Sequence, residues 1–148
     1  MTSWIRPVLK WLSSLYTRTA EGQRKYVIER WLAKSTGWLS GLQTILPGAP
    51  PYATYHKYLL AKTPILELWL LAWGHNVTVD TKDHPIQGCW MRVIQGTLYE
   101  EKGSQLRRLC SGNTGYQVGS EIHRIHSIEP SYSIHIYAPN ASATKEKI

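Results

Sequence analysis

A mainly β protein, a small antiparallel barrel or sandwich preceded by helices, is what this sequence predicts. Three observations carry that reading. Helical periodicity is confined to the first third of the chain. Three prolines in five residues, Pro47-Gly48-Ala49-Pro50-Pro51, then stop it. Beyond them lie short runs, alternating or apolar, separated by glycine, proline and polar turns. At 148 residues the chain fits one domain. A chain of this length buries roughly 70% of its unfolded surface, enough for a proper core. The expected division is a helical part over 1–50, a barrel over 51–140 and a tail over 141–148.

Each element has its own warrant. Trp4, Val8, Trp11, Leu12 and Leu15 recur at helical spacing and predict one apolar face, with Lys10 and Arg18 elsewhere on the helix. A second helical segment, Glu21 to Ala33, carries Val27 and Trp31 four apart. Ser35 is a candidate N-cap for a short third helix with Trp38, Leu42 and Ile45. After Pro51 the pattern turns to strand. Tyr55 to Leu60 and Ile65 to Leu71 are short runs bounded by breakers. Trp90 to Ile94 leads into a Gln95-Gly96 turn, and Thr97 to Tyr99 returns from it. His123 to Ile128 and Ser133 to Tyr137 flank a Glu129-Pro130-Ser131 turn. The polar end, Asn140 to Ile148, is expected to fray. No internal repeat is present.

Composition removes several classes. An apolar fraction of 43% with 18% charged residues is that of a globular chain, not a disordered one. The longest apolar run, near Ile65 to Trp73, is interrupted by Glu67 and falls far short of the roughly 20 residues a membrane span needs. Two cysteines, Cys89 and Cys110, make no disulfide scaffold. No signal peptide is legible, so the expectation is a soluble, cytoplasmic protein with no membrane partner. The net charge of +7 is scattered, with Arg107-Arg108 the densest pair, and the aromatics sit at core spacing. Nucleic-acid binding through stacking and phosphate contacts is therefore not the expected function.

Two stretches hold candidate site residues. One runs from Lys82-Asp83-His84 through Cys89 to Gly96. The other is His123 followed by Ser133-Ile134-His135-Ile136-Tyr137. Period 2 puts Ser133, His135 and Tyr137 on one face of a strand. If that face is internal, three polar side chains inside a small barrel call for a site. If it is a polar outer face, Ile134 and Ile136 point to the core instead.

These residues resemble the cysteine dioxygenase family of cupins. The resemblance runs roughly from Ala33 to Asn140. It rests on Trp73-Gly74 to Thr97, with Asp83-His84, Cys89 and Gln95-Gly96 at the family's spacing. His123-Arg124, the Glu129-Pro130 turn and the Ser-x-His-x-Tyr strand complete it. It implies a small cupin barrel and a non-haem Fe(II) dioxygenase that converts L-cysteine or a related thiol, with O2, to the sulfinic acid. Family members hold Fe(II) with three histidines. His84 matches the second of them and His123 the third. Imidazole with open coordination positions suits ferrous iron and oxygen chemistry. Cys89 and Tyr137 match a cysteine and a tyrosine that form a thioether in some members. His135 and Ser133 match the pair that positions the tyrosine. Lys57 stands where the family holds the substrate carboxylate with an arginine, and Tyr55 shares its face.

The departures matter as much. Lys82 replaces the first iron-ligating histidine. An amine must lose its proton before it ligates. From a reference pKa of about 10.4, that costs roughly 4–5 kcal/mol at pH 7. Weaker iron binding is the expectation, and the Lys82 ammonium could instead fill the charge role of the metal. Asp80, two residues earlier, could pair with it, and His75 or Asp80 are open as substitute ligands. Lys57 supplies charge without the arginine fork. The sequence ends sooner after Tyr137 than in typical animal members, so one wall of the site is expected to be open. His126 is three residues from His123 and so on the opposite face. Two functions follow: a thiol dioxygenase, or a catalytically impaired cupin that binds a small thiol, an anion or a protein partner.

Overall fold

Helix α1, Ile5–Arg18, opens the computed structural model, which describes residues 4–34, 37–81, 88–117 and 123–138. Pro7 stands in its first turn, where a missing N–H is tolerated, and Arg18 stands in its last turn, where a cation suits the dipole. A turn of 3-10 helix, Glu21–Gln23, leads into α2, Arg24–Lys34, and α3 follows over Gly37–Gln43. Ser35 lies outside the described residues.

The buried stripes are set one residue away from those read in the sequence. Helix α1 buries Ile5, Leu9, Leu12 and Tyr16, and leaves Trp11 54% exposed. Helix α2 buries Ile28 and Leu32, with Val27 and Trp31 at the margin. Both stripes have helical spacing. The buried one is richer in Ile and Leu, which pack closely on branched side chains of a sheet.

Among the described residues nine strands follow: β1 Tyr55–Lys62, β2 Glu67–Trp73, β3 Val77–Thr81, β4 Gly88–Gln95, β5 Thr97–Lys102, β6 Gln105–Cys110, β7 Thr114–Gln117, β8 His123–Ser127 and β9 Ser131–Ala138. They form two antiparallel sheets, ordered β1-β2-β9-β4-β7 and β3-β8-β5-β6. The sequence reading missed β3, β6 and β7. Strand β6 is largely exposed and carries two adjacent arginines, and β7 contains Gly115, so neither shows a clean apolar alternation.

Two apolar clusters result. The larger lies between the helices and the outer face of the five-stranded sheet, joining Leu9, Leu12, Ile28 and Leu32 to Leu68, Leu70, Trp90, Ile134 and Ile136. The smaller lies between the sheets and joins Leu71, Trp73, Met91 and Val93 to Leu98, Leu109 and Ile125. Each fully buried side chain of this size contributes about 1.5–3 kcal/mol. Strand β9 lies between β2 and β4 and is buried at all eight positions. Its isoleucines face the helices, so its polar side chains face the interior of the barrel.

Candidate functional site

That orientation settles the open choice between an inner and an outer polar face. Ser133, His135 and Tyr137 turn inward, and Ile134 and Ile136 are buried beneath the helices. The register aligns neighbours across three strands. Glu67, Tyr137 and Cys89 form one row. Trp69, His135 and Met91 form the next, and Leu71, Ser133 and Val93 the third.

A line of hydrogen bonds crosses those rows. Trp73 Nε1 donates to Ser133 Oγ at 2.9 Å. Ser133 Oγ lies 2.8 Å from His135 Nε2. The hydroxyl oxygen has two lone pairs, so besides accepting the indole proton it bonds Nε2 in either direction, according to the imidazole tautomer. Nδ1 stands 3.9 Å from Cys89 Sγ. The rings of His135 and Tyr137 stack at 6.3 Å between centroids. Cys89 and Tyr137 face one another across β4 and β9, within hydrogen-bonding reach. Burial pushes the Cys89 thiol up to about 12, so it is neutral at pH 7. Burial, with Cys89, Tyr55 and Glu67 nearby, raises Tyr137 well above an ordinary phenol.

Lys57 and Tyr55 approach from β1. Tyr55 stacks on Trp73 at 5.4 Å. Lys57 Nζ sits 4.8 Å above the Trp69 ring, a cation–π contact. Trp69 Nε1 donates to Glu67 Oε1 at 2.9 Å. Glu67 is 1% exposed. Burial lowers the Lys57 pKa, and the negative charge of Glu67 works against that shift.

His123 comes from the other sheet. It is 5% exposed, and its Nδ1 is 3.4 Å from Oε2 of the buried Glu100. Glu100 in turn meets Arg107 Nη2 at 3.2 Å. Burial pushes the Glu100 carboxyl up, but His123, Arg107 and Lys102 together outweigh it and hold the group below the ordinary carboxylate range. Segment 82–87 joins Thr81, the register partner of His123, to Gly88, which precedes Cys89. The chain therefore brings His123 of one sheet to the same end of the barrel as Cys89 and Tyr137 of the other.

Lys82, Asp83 and His84 fall within that segment and lie outside the described residues. Among the described residues, no group of three His, Cys, Asp or Glu side chains is placed to hold a metal ion. His123 does fit a ligand role. A carboxylate at Nδ1 fixes the ring and presents Nε2 to a metal, as second partners of metal-binding histidines commonly do. Asp80 lies on the outer side, half-exposed and paired with Arg124 at 2.7 Å. His75 is exposed at the turn before β3. His126 stacks on Tyr99 at 5.4 Å, away from His123. Cys110 has a free thiol.

Sequence reasoning missed Glu67, Trp69, Trp73, Glu100 and Arg107. One signal was visible: Glu67 is a carboxylate inside an otherwise apolar run. Glu100 and Arg107 gave none, because only the pairing of β5 with β6 makes them neighbours.

No family model matches the sequence, and no curated protein matches it. Solved structures do match the fold. A cupin superfamily protein from Desulfitobacterium hafniense superimposes with a TM-score of 0.58 at 13% identity, over 67% of this chain and 88% of its own. KdgF from a Halomonas species gives 0.55 at 19%, over 66% and 90%. An RmlC-like cupin from Shewanella frigidimarina gives 0.57 at 10%, over 74% and 93%. The chain has the cupin fold, which carries metal-binding enzymes and non-enzymes alike. Among the described residues, no helix is long and apolar enough to cross a membrane.

Proposed function

We propose that the chain is a non-haem iron thiol dioxygenase resembling cysteine dioxygenase. It adds both atoms of O2 to the sulfur of L-cysteine or a related small thiol, taking RSH to RSO2H. One observation carries the reading. Ser133, His135, Tyr137 and Cys89 share a single hydrogen-bonded line on the inner face of the barrel, deep in its interior. A barrel that needed only to fold would fill these positions with apolar side chains.

His84 and His123, with Lys82 at the third position, would hold Fe(II), which when bound supplies a centre where thiolate and O2 meet. Every other part belongs to the chain. Ser133 anchors the His135 ring through its hydroxyl, and His135 stacks on the ring of Tyr137. The raised phenol keeps its proton and can donate it to a bound anion. Lys57 and Tyr55 receive the substrate carboxylate. The two sheets keep water from the reacting sulfur.

Lys82 favours a second reading, in which the barrel binds a small thiol, an anion or a protein partner without turnover. Metal counting separates the two. Purified protein reconstituted anaerobically with Fe(II) is expected to retain close to one iron per chain and to consume O2 with L-cysteine. Lys82→His is expected to hold that iron more tightly against a chelator and to raise O2 consumption. A folded protein that retains no iron, with no gain from Lys82→His, would overturn the dioxygenase reading.

A further inference from the structure

We propose that the side of the barrel carries a second binding site, for inorganic hydrogen phosphate, in the cleft between helix α2 and the seam where β6 and β7 meet without pairing. It is an oxyanion site that also asks its ligand for a proton. It involves no thiol, no iron and no part of segment 82–87.

Strands β6 and β7 belong to different sheets. Between them and α2 lies a cavity of about 290 Å³. Lys25 and Glu29 of α2 line it, with Glu100 and Lys102 of β5, Arg107 of β6 and Tyr116 of β7. Glu100 is already held by Arg107 and His123. Cations are in excess here, and the net charge of +7 on the chain adds to the attraction for an anion. Arg107 makes both of its contacts, to Glu100 Oε1 and to the Thr114 carbonyl, from Nη2. A guanidinium has five N–H donors, so the rest of its fork remains for an oxyanion.

Lys25 and Glu29 define the ligand more closely. They stand four residues apart on α2, a spacing at which opposite charges ordinarily pair. Here the Lys25 ammonium lies instead 4.5 Å from the centre of the Tyr116 ring. Oε2 of Glu29 is buried and, among the described residues, accepts no hydrogen bond. A buried acceptor left without a donor is costly. Hydrogen phosphate satisfies both groups at once. Its charged oxygens meet Lys25 and Arg107, and its P–OH donates to Glu29. Sulfate has the same shape and charge but carries no proton at pH 7, and it would set a bare oxygen against the carboxylate. A site built around a ligand's hydroxyl rejects strongly an analogue that lacks it.

Calorimetry of the whole chain at pH 7 and constant ionic strength tests this, with inorganic phosphate and inorganic sulfate as probes. Phosphate is expected to bind the wild-type protein roughly tenfold or more tightly than sulfate. Lys25→Gln is expected to weaken phosphate about tenfold. Lys10→Gln, which removes the same charge from an exposed position on α1, is expected to leave it unchanged. Glu29→Gln puts an amide that can donate in place of the carboxylate, and is expected to bring sulfate level with phosphate. No phosphate binding, equal binding of the two ions by the wild-type protein, a loss in Lys10→Gln as large as in Lys25→Gln, or an unchanged ratio in Glu29→Gln would overturn the inference. Circular dichroism confirms that each variant is folded, and the wild-type ratio is decisive without any variant. The outcome is separable from the proposed function, because neither iron nor a thiol is present in the titration.

Discussion

Cys89 and Tyr137 show how burial and register together set the chemistry of single residues. Each is pushed towards its neutral form by burial, and each faces the other from a neighbouring strand. Left alone, such a pair is inert. An oxidising centre beside it changes that, because the thiol and the phenol stand opposite one another within hydrogen-bonding reach. The proposed function therefore predicts a Cys89–Tyr137 thioether after turnover with Fe(II), O2 and L-cysteine. Intact mass should fall by two hydrogens, and Cys89→Ser should abolish the loss. A loss that persists in Cys89→Ser would place the modification elsewhere. His135 sets the geometry here: with Ser133 on Nε2, its other ring nitrogen is turned towards the sulfur.

Among the elements, β9 and the β4–β5 turn do most to build the site. Strand β9 reads as alternating polar and apolar, which ordinarily means one wet face and one dry face. The helices make both faces dry. Gly96, with φ at +87°, makes the tight turn between β4 and β5, and a Cβ there would lie 2.4 Å from Ser131 Oγ. Ser131 is fully buried, and its hydroxyl accepts the Thr97 N–H at 3.1 Å, clipping the turn to the start of β9. Gly96→Ala should therefore cost roughly 2–5 kcal/mol, the sum of a left-handed backbone and an overpacked contact. Chemical denaturation measures it, and a loss under 1 kcal/mol would mean the turn relaxes freely. Most of this level was legible. Gln95-Gly96, the Glu129-Pro130-Ser131 turn and the paired strands around them are written in local residue choice. The offset of the buried stripes on α1 and α2 was not, because two stripes of equal period compete and only the sheet decides. Glu67 was visible as an anomaly in its run. Glu100 became meaningful only through pairing between distant strands.

At the scale of the whole molecule, the two sheets must be held together where β6 and β7 meet without pairing. Charged side chains do this. Arg107 pairs with Glu100 on its own sheet and reaches across to the carbonyl of Thr114 at 3.2 Å. Lys102 reaches the carbonyl of Tyr116, also at 3.2 Å. Gly115 leaves the space, since a Cβ there would lie 3.1 Å from Arg107 Nη2. Glu100 is the hinge of this arrangement, because the same carboxylate faces His123. Its pKa is held below the ordinary carboxylate value in the folded protein. The unfolded chain therefore binds more protons in the interval between the two values, and stability rises with pH there. The contribution is complete above the ordinary glutamate value and is lost as pH falls through the folded one. Denaturation midpoints measured from pH 7 downward should fall below about pH 5 in the wild-type protein. Glu100→Gln should start less stable at pH 7, with Arg107 left beside a neutral amide, and should lose less of its stability on acidification. Parallel pH profiles for the two proteins would show that the seam is held by packing and not by this charge. A steeper wild-type profile would tie closure of the barrel to the carboxylate that orients His123.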